Sequence, residues 1–181
     1  MWKLNKPKPV KLIIGILAAD RRCLHEALEE VFARFGKADF VSDVWPFDQT
    51  DYYKEQTGPR ILRQFVSIEK LIDPGRLSRI KHRTNRLEQK LARTLALPLP
   101  RPVNLDPGFI EPSKLVLATT KNYSHRIYIG RQMYAEVTLI FDKQHFKPLE
   151  HTYPDYKQQC YFDFFEKVRN QLVEQLRRLK E

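Results

Sequence analysis

Residues 12–18, with the sequence LIIGILA, constrain the fold more than any other feature, because they are apolar on both faces of a strand. The run is too short for a typical helix, and a strand without polar side chains has to be covered on both sides. Lysines and prolines precede it, so the alternative interpretation is the apolar part of a secretory leader. Because the run stops at Asp20 and continues directly into an amphipathic pattern, we expect a buried first strand.

Three amphipathic patterns predict helices with one apolar face each. Asp20 is suited to cap a helix over residues 21–35, and Gly36 is suited to end it. After a turn that begins at Asp73, apolar residues recur at helical spacing over residues 77–95, up to the breaker Pro98. A third helical pattern covers about residues 155–179. Each apolar face requires a sheet or another helix to pack against.

The strand patterns place these helices in an α+β order. Strands are predicted at about 38–45 and 60–71, separated by residues 46–59, a segment that is long for a hairpin turn. The order strand, helix, strand, strand, helix, strand is that of a ferredoxin-like split βαβ unit, whose fourth strand lies either at 102–106 or at 115–118. Strands at 125–129, 133–141 and 145–149 follow. We therefore expect a single α+β domain over residues 1–181, with a mostly antiparallel sheet and packed helices.

The net charge indicates which binding partners to expect, and the cysteine content indicates which cellular compartment to expect. The chain has 32 Lys and Arg against 22 Asp and Glu, a formal net charge of +10, which attracts nucleic acid, nucleotides or an anionic surface. No apolar run approaches the roughly 18 residues of a membrane span. Cys23 and Cys160 match no disulfide framework or thiolate metal site, which favours a reducing, cytoplasmic location.

The second helix carries a stripe of cations along one edge of its apolar face. At about 100° per residue the stripe falls within an arc of about 80° and contains almost no acid. Such an edge fits contact with the phosphates of a nucleic acid, and it also fits a solvated helix face. The candidate nucleic-acid-binding residues are Arg79, Arg83, Arg86, Lys90 and Arg93.

Two common kinds of site have no motif in this sequence. The six glycines form neither a phosphate-binding G-x-x-x-x-G-K-[ST] loop nor G-x-G-x-x-G, so a bound nucleotide would rely on side chains and turns. The histidines form neither H-x-x-x-H nor H-x-H, and we predict no zinc site.

Polar residues cluster instead in four loops or strand ends, which we expect to meet at one end of the sheet. The alternative is ordinary turn chemistry, because residues 106–108 form an Asp-Pro-Gly turn signal and residue 155 follows a proline. The fourth cluster is Tyr153, Asp155 and Tyr156. From the other clusters and the strand at 133–141, the candidate acid–base or metal-binding groups are Asp48, Asp51, Asp106, His125 and Glu136, and the candidate ligand-binding groups are Tyr52, Tyr53, Asn104, Lys121 and Arg126.

Period-two alternation in the strand at 133–141 separates its polar from its apolar residues. It predicts that Tyr134, Glu136 and Thr138 share one face. The other face is predicted to be core and comprises Ala135, Val137, Leu139 and Phe141.

These features lead to two functional hypotheses from different classes. The first is a cytoplasmic binding module for a phosphate-bearing ligand, RNA or a nucleotide, with tyrosine rings stacking on bases. The alternative is a small hydrolase or phosphotransferase, in which carboxylates and one histidine hold Mg²⁺ or Mn²⁺ while Lys121 and Arg126 clamp a phosphate. A purely structural interaction protein would instead expose an apolar patch and lack a polar cleft.

The same polar segments carry a resemblance. Residues 47–53 (FDQTDYY), 104–108 (NLDPG), 114–121 (KLVLATTK), 125–128 (HRIY), 134–139 (YAEVTL) and 152–156 (TYPDY) together resemble a bacterial family of similar length, domain of unknown function 4416. The resemblance covers nearly the whole chain. It implies no particular reaction, but its motif segments coincide with the clusters chosen above on chemical grounds.

Overall fold

The computed structural model describes residue 2, residues 4–48 and residues 53–179. Short 3₁₀ turns at Pro74–Arg76 and Pro154–Lys157 precede the last two long helices. Within the described residues the elements are, in chain order, β1 (Lys11–Ala18), α1 (Arg21–Phe35), β2 (Ala38–Val41), β3 (Trp45–Phe47), α2 (Lys54–Thr57), β4 (Ile61–Ile68), α3 (Leu77–Leu95), β5 (Val103–Glu111), β6 (Lys114–Thr119), β7 (Ile127–Tyr128), β8 (Tyr134–Asp142), β9 (His145–Pro148) and α4 (Gln159–Arg178).

One antiparallel sheet contains all of these strands, in the order β2-β4-β1-β5-β6-β8-β7, with β3 beside β4 and β9 beside β8. The first four positions reproduce the ferredoxin-like order of the split βαβ unit, and the α+β class is confirmed. Both candidates for the fourth strand are strands: β5 completes the ferredoxin-like unit, and β6 extends the sheet toward the C-terminal strands.

Strand β1 lies at the centre of the sheet and is buried along its whole length, as its apolar run predicts. Alternate side chains point to opposite faces. Ile14 and Ile16 pack with α1 and α3 on one face, whereas Ile13 packs with Phe65 and α4 on the other. Helices therefore cover both faces of the sheet.

The Asp-Pro-Gly signal at residues 106–108 is not a turn, contrary to the sequence prediction. These residues lie in the middle of β5, where Pro107 is opposite Ile14 of β1. The N–H and C=O groups of Leu105 bond to α3 and so point away from β1, and residue 107 has the same orientation. Proline's missing N–H therefore falls on the β6 side, where it interrupts pairing without weakening the β1 ladder.

Other predicted boundaries were also wrong. The strand expected at 38–45 is two strands, because the chain turns at Ser42, whose hydroxyl accepts a hydrogen bond from the N–H of Phe65 at 2.9 Å. The strand expected at 125–129 is only Ile127–Tyr128. The last helix begins at Gln159, after the 3₁₀ turn.

A β-bulge changes the two faces of β8. Val137 lies opposite Val116, but Leu139 lies opposite Leu115, so Thr138 is an extra residue that shifts the alternation. As a result Ala135 and Val137 pack on the α3 side of the sheet, whereas Leu139 and Phe141 pack on the α4 side. The prediction that all four share one face was wrong.

No α-helix in the described part of the chain is both long and apolar enough to cross a membrane.

Candidate functional site

The sheet opens between β5 and β6, and the opening contains the candidate site. The two strands pair from Glu111 and Lys114 to Gly108 and Leu117, and no further. Beyond that point, side chains of α3 replace the missing strand.

Two charged residues of α3 bond to the β5 backbone inside the opening. The Lys81 ammonium donates to the Leu105 carbonyl oxygen at 2.8 Å, and the Leu105 N–H donates to Glu88 Oε1 at 2.8 Å. Arg101 Nε donates to the other Glu88 oxygen at 2.9 Å. Burial raises the pKa of Glu88, and the charges of Lys81 and Arg101 offset part of that effect. The opening therefore has a polar wall made by α3.

A cavity of about 540 Å³ occupies the opening. Its volume lies within the range typical of small-molecule sites. Its lining residues come from β3, β4, β5, β6, β8, α2, α3, the second 3₁₀ turn and loops. They are Phe47, Tyr53, Gln56, Arg63, Lys81, Arg101, Asn104, Asp106, Leu117, Ala118, Thr119, Thr120, Lys121, Arg126, Glu136, Tyr153, Pro154, Asp155 and Tyr156.

Asp106 is the centre of the first polar group in the cavity. Asn104, two residues earlier on the same face of β5, donates from Nδ2 to Asp106 Oδ2 at 2.6 Å. Lys81 Nζ lies 3.6 Å from Asp106 Oδ1, and Arg63 Nη1 lies 3.9 Å from Asp106 Oδ2. This carboxylate is half-buried and surrounded by three donors.

Arg63 lies at the base of the cavity and is only 3% exposed. It donates to Asp155 Oδ2 at 2.7 Å, and its guanidinium carbon lies 5.0 to 5.6 Å from the ring centroids of Phe47, Phe65 and Tyr156. Burial alone would lower the pKa of Arg63, but Asp155, Asp106 and the nearby tyrosines together outweigh it, so the pKa is raised. The arginine is therefore permanently charged and held in place.

The carboxyl group of Asp155 responds to the same burial. Burial raises the pKa of Asp155, and the charge of Arg63 offsets only part of that rise.

The neighbouring Gly15 has no side chain, and a methyl group there would lie about 3.0 Å from Arg63 Nη1. Glycine at this position keeps the space that the guanidinium occupies.

Glu136 organises the opposite wall of the cavity and is 3% exposed. Its Oε2 accepts hydrogen bonds from Arg126 Nε at 2.7 Å and His125 Nε2 at 3.1 Å. Arg126 also donates to the Tyr153 hydroxyl and, at 3.2 Å, to the Lys121 carbonyl oxygen. Glu136 thus fixes an arginine that connects β8 to two loops.

The tyrosines of the cavity are neutral. Burial, followed by the charge of Glu136, raises the pKa of Tyr153 to about 12. Burial also raises the pKa values of Tyr53 and Tyr156 above their ordinary value. Their hydroxyls can therefore donate hydrogen bonds near neutral pH.

Most of the site residues predicted from the sequence meet in this cavity. Among the remaining candidates, Asp48 is exposed and does not line it. Asp51 and Tyr52 lie outside the described residues. His125 lines a neighbouring cavity and reaches the first through Glu136. The predicted residues that line the cavity are Tyr53, Asn104, Asp106, Lys121, Arg126, Glu136, Tyr153, Asp155 and Tyr156.

Three cationic residues of the cavity, Arg63, Lys81 and Arg101, were not among the candidates predicted from the sequence. The sequence could have identified Arg63 and Lys81 as site candidates. Arg63 interrupts a largely apolar strand, β4, and Lys81 adjoins the apolar residues of α3. A lone charge in a buried segment requires a partner, and that requirement identifies it as a site candidate.

The cation stripe of α3 lies outside this cavity. Arg79, Arg86 and Arg93 are exposed, and Arg83 is half-buried. Lys90 Nζ pairs with Glu30 Oε1 of α1 at 2.5 Å, so the charge of Lys90 is partly compensated.

Among the described residues, no group of three or more His, Cys, Asp or Glu side chains is arranged to hold a metal ion.

A family model described as "Domain of unknown function (DUF4416)" matches residues 8–172. The matched range includes all of the cavity-lining residues. No curated protein and no solved structure gives a significant match to the chain.

Proposed function

The chain belongs to the family described as domain of unknown function (DUF4416), and from its site we propose that the protein binds a nucleotide in the β5–β6 cavity. The observation that supports this most directly is a cavity of about 540 Å³ that combines an excess of cations with tyrosine walls. Phosphate groups require the first feature, and a base is well accommodated by the second.

The charges of the cavity favour an anionic ligand. Among the described residues, three carboxylates line it, from Asp106, Glu136 and Asp155. Five cations of the described residues line it, and when Arg101 is assigned to its partner Glu88, which does not line the cavity, one positive charge remains in excess among them. Most of these cations are already held by carboxylates, so they are oriented before a ligand arrives.

Lys121 and the loop before it form the most accessible part of the cationic wall. Lys121 is exposed, and it follows Thr119 and Thr120, which also line the cavity. Hydroxyl and ammonium groups in adjacent positions are common donors to phosphate oxygens. We place the phosphates of the nucleotide at this loop.

Aromatic side chains on the other side of the opening offer a surface for the base. Phe47 and Tyr53 contact each other edge to face, with ring centroids 5.9 Å apart. Tyr153 also lines the cavity and is partly exposed. Stacking on such rings tolerates different bases, so we propose a nucleotide without specifying the base.

The metal-assisted alternative is less well supported by the same geometry. Asp106 and Glu136, its two described carboxylates in the cavity, are already bonded to or surrounded by donors from Asn104, Lys81 and Arg126. Their arrangement suits the positioning of cations, so we propose binding rather than hydrolysis.

Isothermal titration calorimetry tests the proposal. The wild-type protein is titrated with ATP, ADP, AMP, adenosine and pyrophosphate. It is then titrated with guanosine, cytidine and uridine triphosphates. We expect nucleotides to bind more tightly than either adenosine or pyrophosphate, because only a nucleotide uses both walls. Absence of binding by every nucleotide at millimolar concentration would refute the proposal.

A pair of variants locates the binding site. Lys121→Ala should weaken nucleotide binding by about tenfold or more, the usual effect of losing one charged hydrogen bond. Lys167→Ala removes an equal charge from an exposed position on α4 that does not line the cavity, and it should bind like the wild type. Equal affinities of the two variants would contradict the assignment of the binding site.

Release of inorganic phosphate from a nucleotide in the presence of Mg²⁺ or Mn²⁺ would instead support the enzymatic alternative.

A further inference from the structure

A second cavity, of about 470 Å³, opens on the face of the sheet that α1 and α3 cover, and most of its lining is apolar. Its floor is formed by strand residues such as Phe109, Val116 and Ala135. Ile127 stands at its rim and is 72% exposed. An open apolar cavity of this size accommodates a planar ring.

Two stacked imidazoles form one wall of this cavity. The rings of His125 and His151 are nearly parallel, with centroids 4.1 Å apart, and both residues line the cavity. Tyr123, which is exposed, contacts His125 edge to face at 5.4 Å. Aromatic groups in this arrangement extend readily by stacking with a base.

Arginines alternate along the chain with residues that line the same cavity. Gly75, Leu77 and Ser78 line it, whereas Arg76 and Arg79 between and after them are exposed. Two exposed arginines therefore adjoin cavity-lining residues in the chain.

The cationic surface continues from this edge along α3 to α1. The pKa of Arg83 is lowered by burial and then by the charges of Arg34, Arg76 and Arg79, so these three arginines lie close enough to repel Arg83. None of the four forms an ion pair with a carboxylate of the described residues. The nearby Asp73 uses its carboxylate to accept the N–H of Gly75 at 2.7 Å.

Such a cluster is not explained by the stability of α3. Cations at a helix N-terminus oppose the helix dipole, and the first turn of α3 contains no acidic residue. A polyanion removes the repulsion, because each phosphate that is neutralised also releases condensed counterions.

We propose that this face of the protein binds single-stranded RNA, with phosphates at Arg76, Arg79 and Arg83 and one unpaired base in the apolar cavity. The cavity requires a base that is free to enter, which a double helix does not offer. Ser78 lines the cavity and offers a hydroxyl to a ribose 2′-hydroxyl, which favours RNA over DNA. The two cavities adjoin at Glu136, which lines both, but the proposal does not rest on nucleotide binding in the β5–β6 cavity.

Fluorescence anisotropy with a labelled 12-residue oligouridylate tests the proposal. Double charge reversal, Arg79→Glu with Arg83→Glu, should weaken binding at low salt by at least tenfold. It should also reduce the slope of log affinity against log salt concentration by about 1.4, because each phosphate contact on a single strand contributes about 0.7. The matched control, Lys167→Glu with Arg178→Glu, changes two exposed cations on α4 and should bind like the wild type.

A second variant tests the base cavity without disturbing the core. Ile127→Glu places a carboxylate at the rim and should also weaken oligouridylate binding, whereas Leu179→Glu, at another exposed apolar residue, should not. The proposal is overturned if the wild type does not bind oligouridylate at low salt, or if the control reversal weakens binding as much as the test reversal. Equal binding of duplex RNA would refute the base cavity, and equal binding of oligothymidylate would refute the preference for RNA.

Discussion

The ion pair between Arg63 and Asp155 provides the sharpest test of how the cavity is held together. The two residues are 92 positions apart, they are 3% and 6% exposed, and Arg63 Nη2 donates to Asp155 Oδ2 at 2.7 Å. Asp155→Ala removes the carboxylate and leaves the guanidinium in the protein interior. Losing one partner of a buried pair costs about 3–5 kcal/mol, because the remaining charge stays desolvated and its nearest carboxylate oxygen is then that of Asp106, 3.9 Å away.

The double variant Arg63→Met with Asp155→Leu separates this effect from the loss of packing. Removing both charges replaces the pair with apolar groups, and such replacements are often close to neutral. We therefore expect the double variant to be more stable than Asp155→Ala alone. Together with the single variants Arg63→Met and Asp155→Leu it forms a double-mutant cycle, which isolates the coupling between the two side chains.

Urea unfolding followed by tryptophan fluorescence measures these changes. Trp45 packs against Tyr161 with ring centroids 4.9 Å apart, whereas Trp2 is 98% exposed, so the change in signal on unfolding comes from Trp45. With a urea m-value of about 2–3 kcal/mol per molar, the midpoint should fall by about 1–2.5 M for Asp155→Ala. A destabilisation below about 1 kcal/mol would refute the reasoning, because it would mean that water in the cavity solvates Arg63.

Three further predictions concern backbone fit and ionisation, and urea unfolding measures each of them. Gly108→Ala should destabilise the protein by about 3 kcal/mol or more, because the added methyl group would overlap the Val116 carbonyl oxygen. A loss of stability under about 1 kcal/mol would contradict the close approach of β5 and β6 at this point. The pKa of Glu88 is raised, so the native protein retains a proton that the unfolded chain releases. The free energy of unfolding of the wild type, relative to that of Glu88→Gln, should therefore fall as pH rises from about 4.5. An increase in this relative stability with pH would contradict the prediction. Arg131→Gly should stabilise the protein by about 0.5–1 kcal/mol, because Arg131 has a left-handed φ of 56°. The hydrogen bond between the backbone carbonyl oxygen of residue 131 and His82 does not depend on the side chain. An unchanged urea midpoint would show that the turn is not strained.

The extent of the helices was largely predictable from the sequence. The capping aspartate Asp20 and the terminating Gly36 enclose α1, whose bounds agree with the prediction. The helix predicted at 77–95 is α3. Both patterns depend on neighbouring residues within one element, so local periodicity contains the information.

The composition of the cavity was only partly predictable. Asn104 and Asp106 stood out as polar residues at an apparent strand end, and Glu136 stood out on the polar face of the strand predicted at 133–141; all three line the cavity. Arg63 and Lys81 were missed because their partners lie on other elements. A charge in a buried strand can be recognised from the sequence, but the element that supplies its counter-charge cannot.

The sequence by itself determined the buried central strand and the amphipathic helices, because these follow from the spacing of apolar residues along a single element. Only the tertiary structure decided the meaning of Pro107 and Gly108. The same pair suits a turn or the end of a β ladder, and the choice depends on whether another strand lies beside β5. Since α3 rather than β6 occupies that place, the sheet opens there, and residues from distant parts of the chain meet in one cavity.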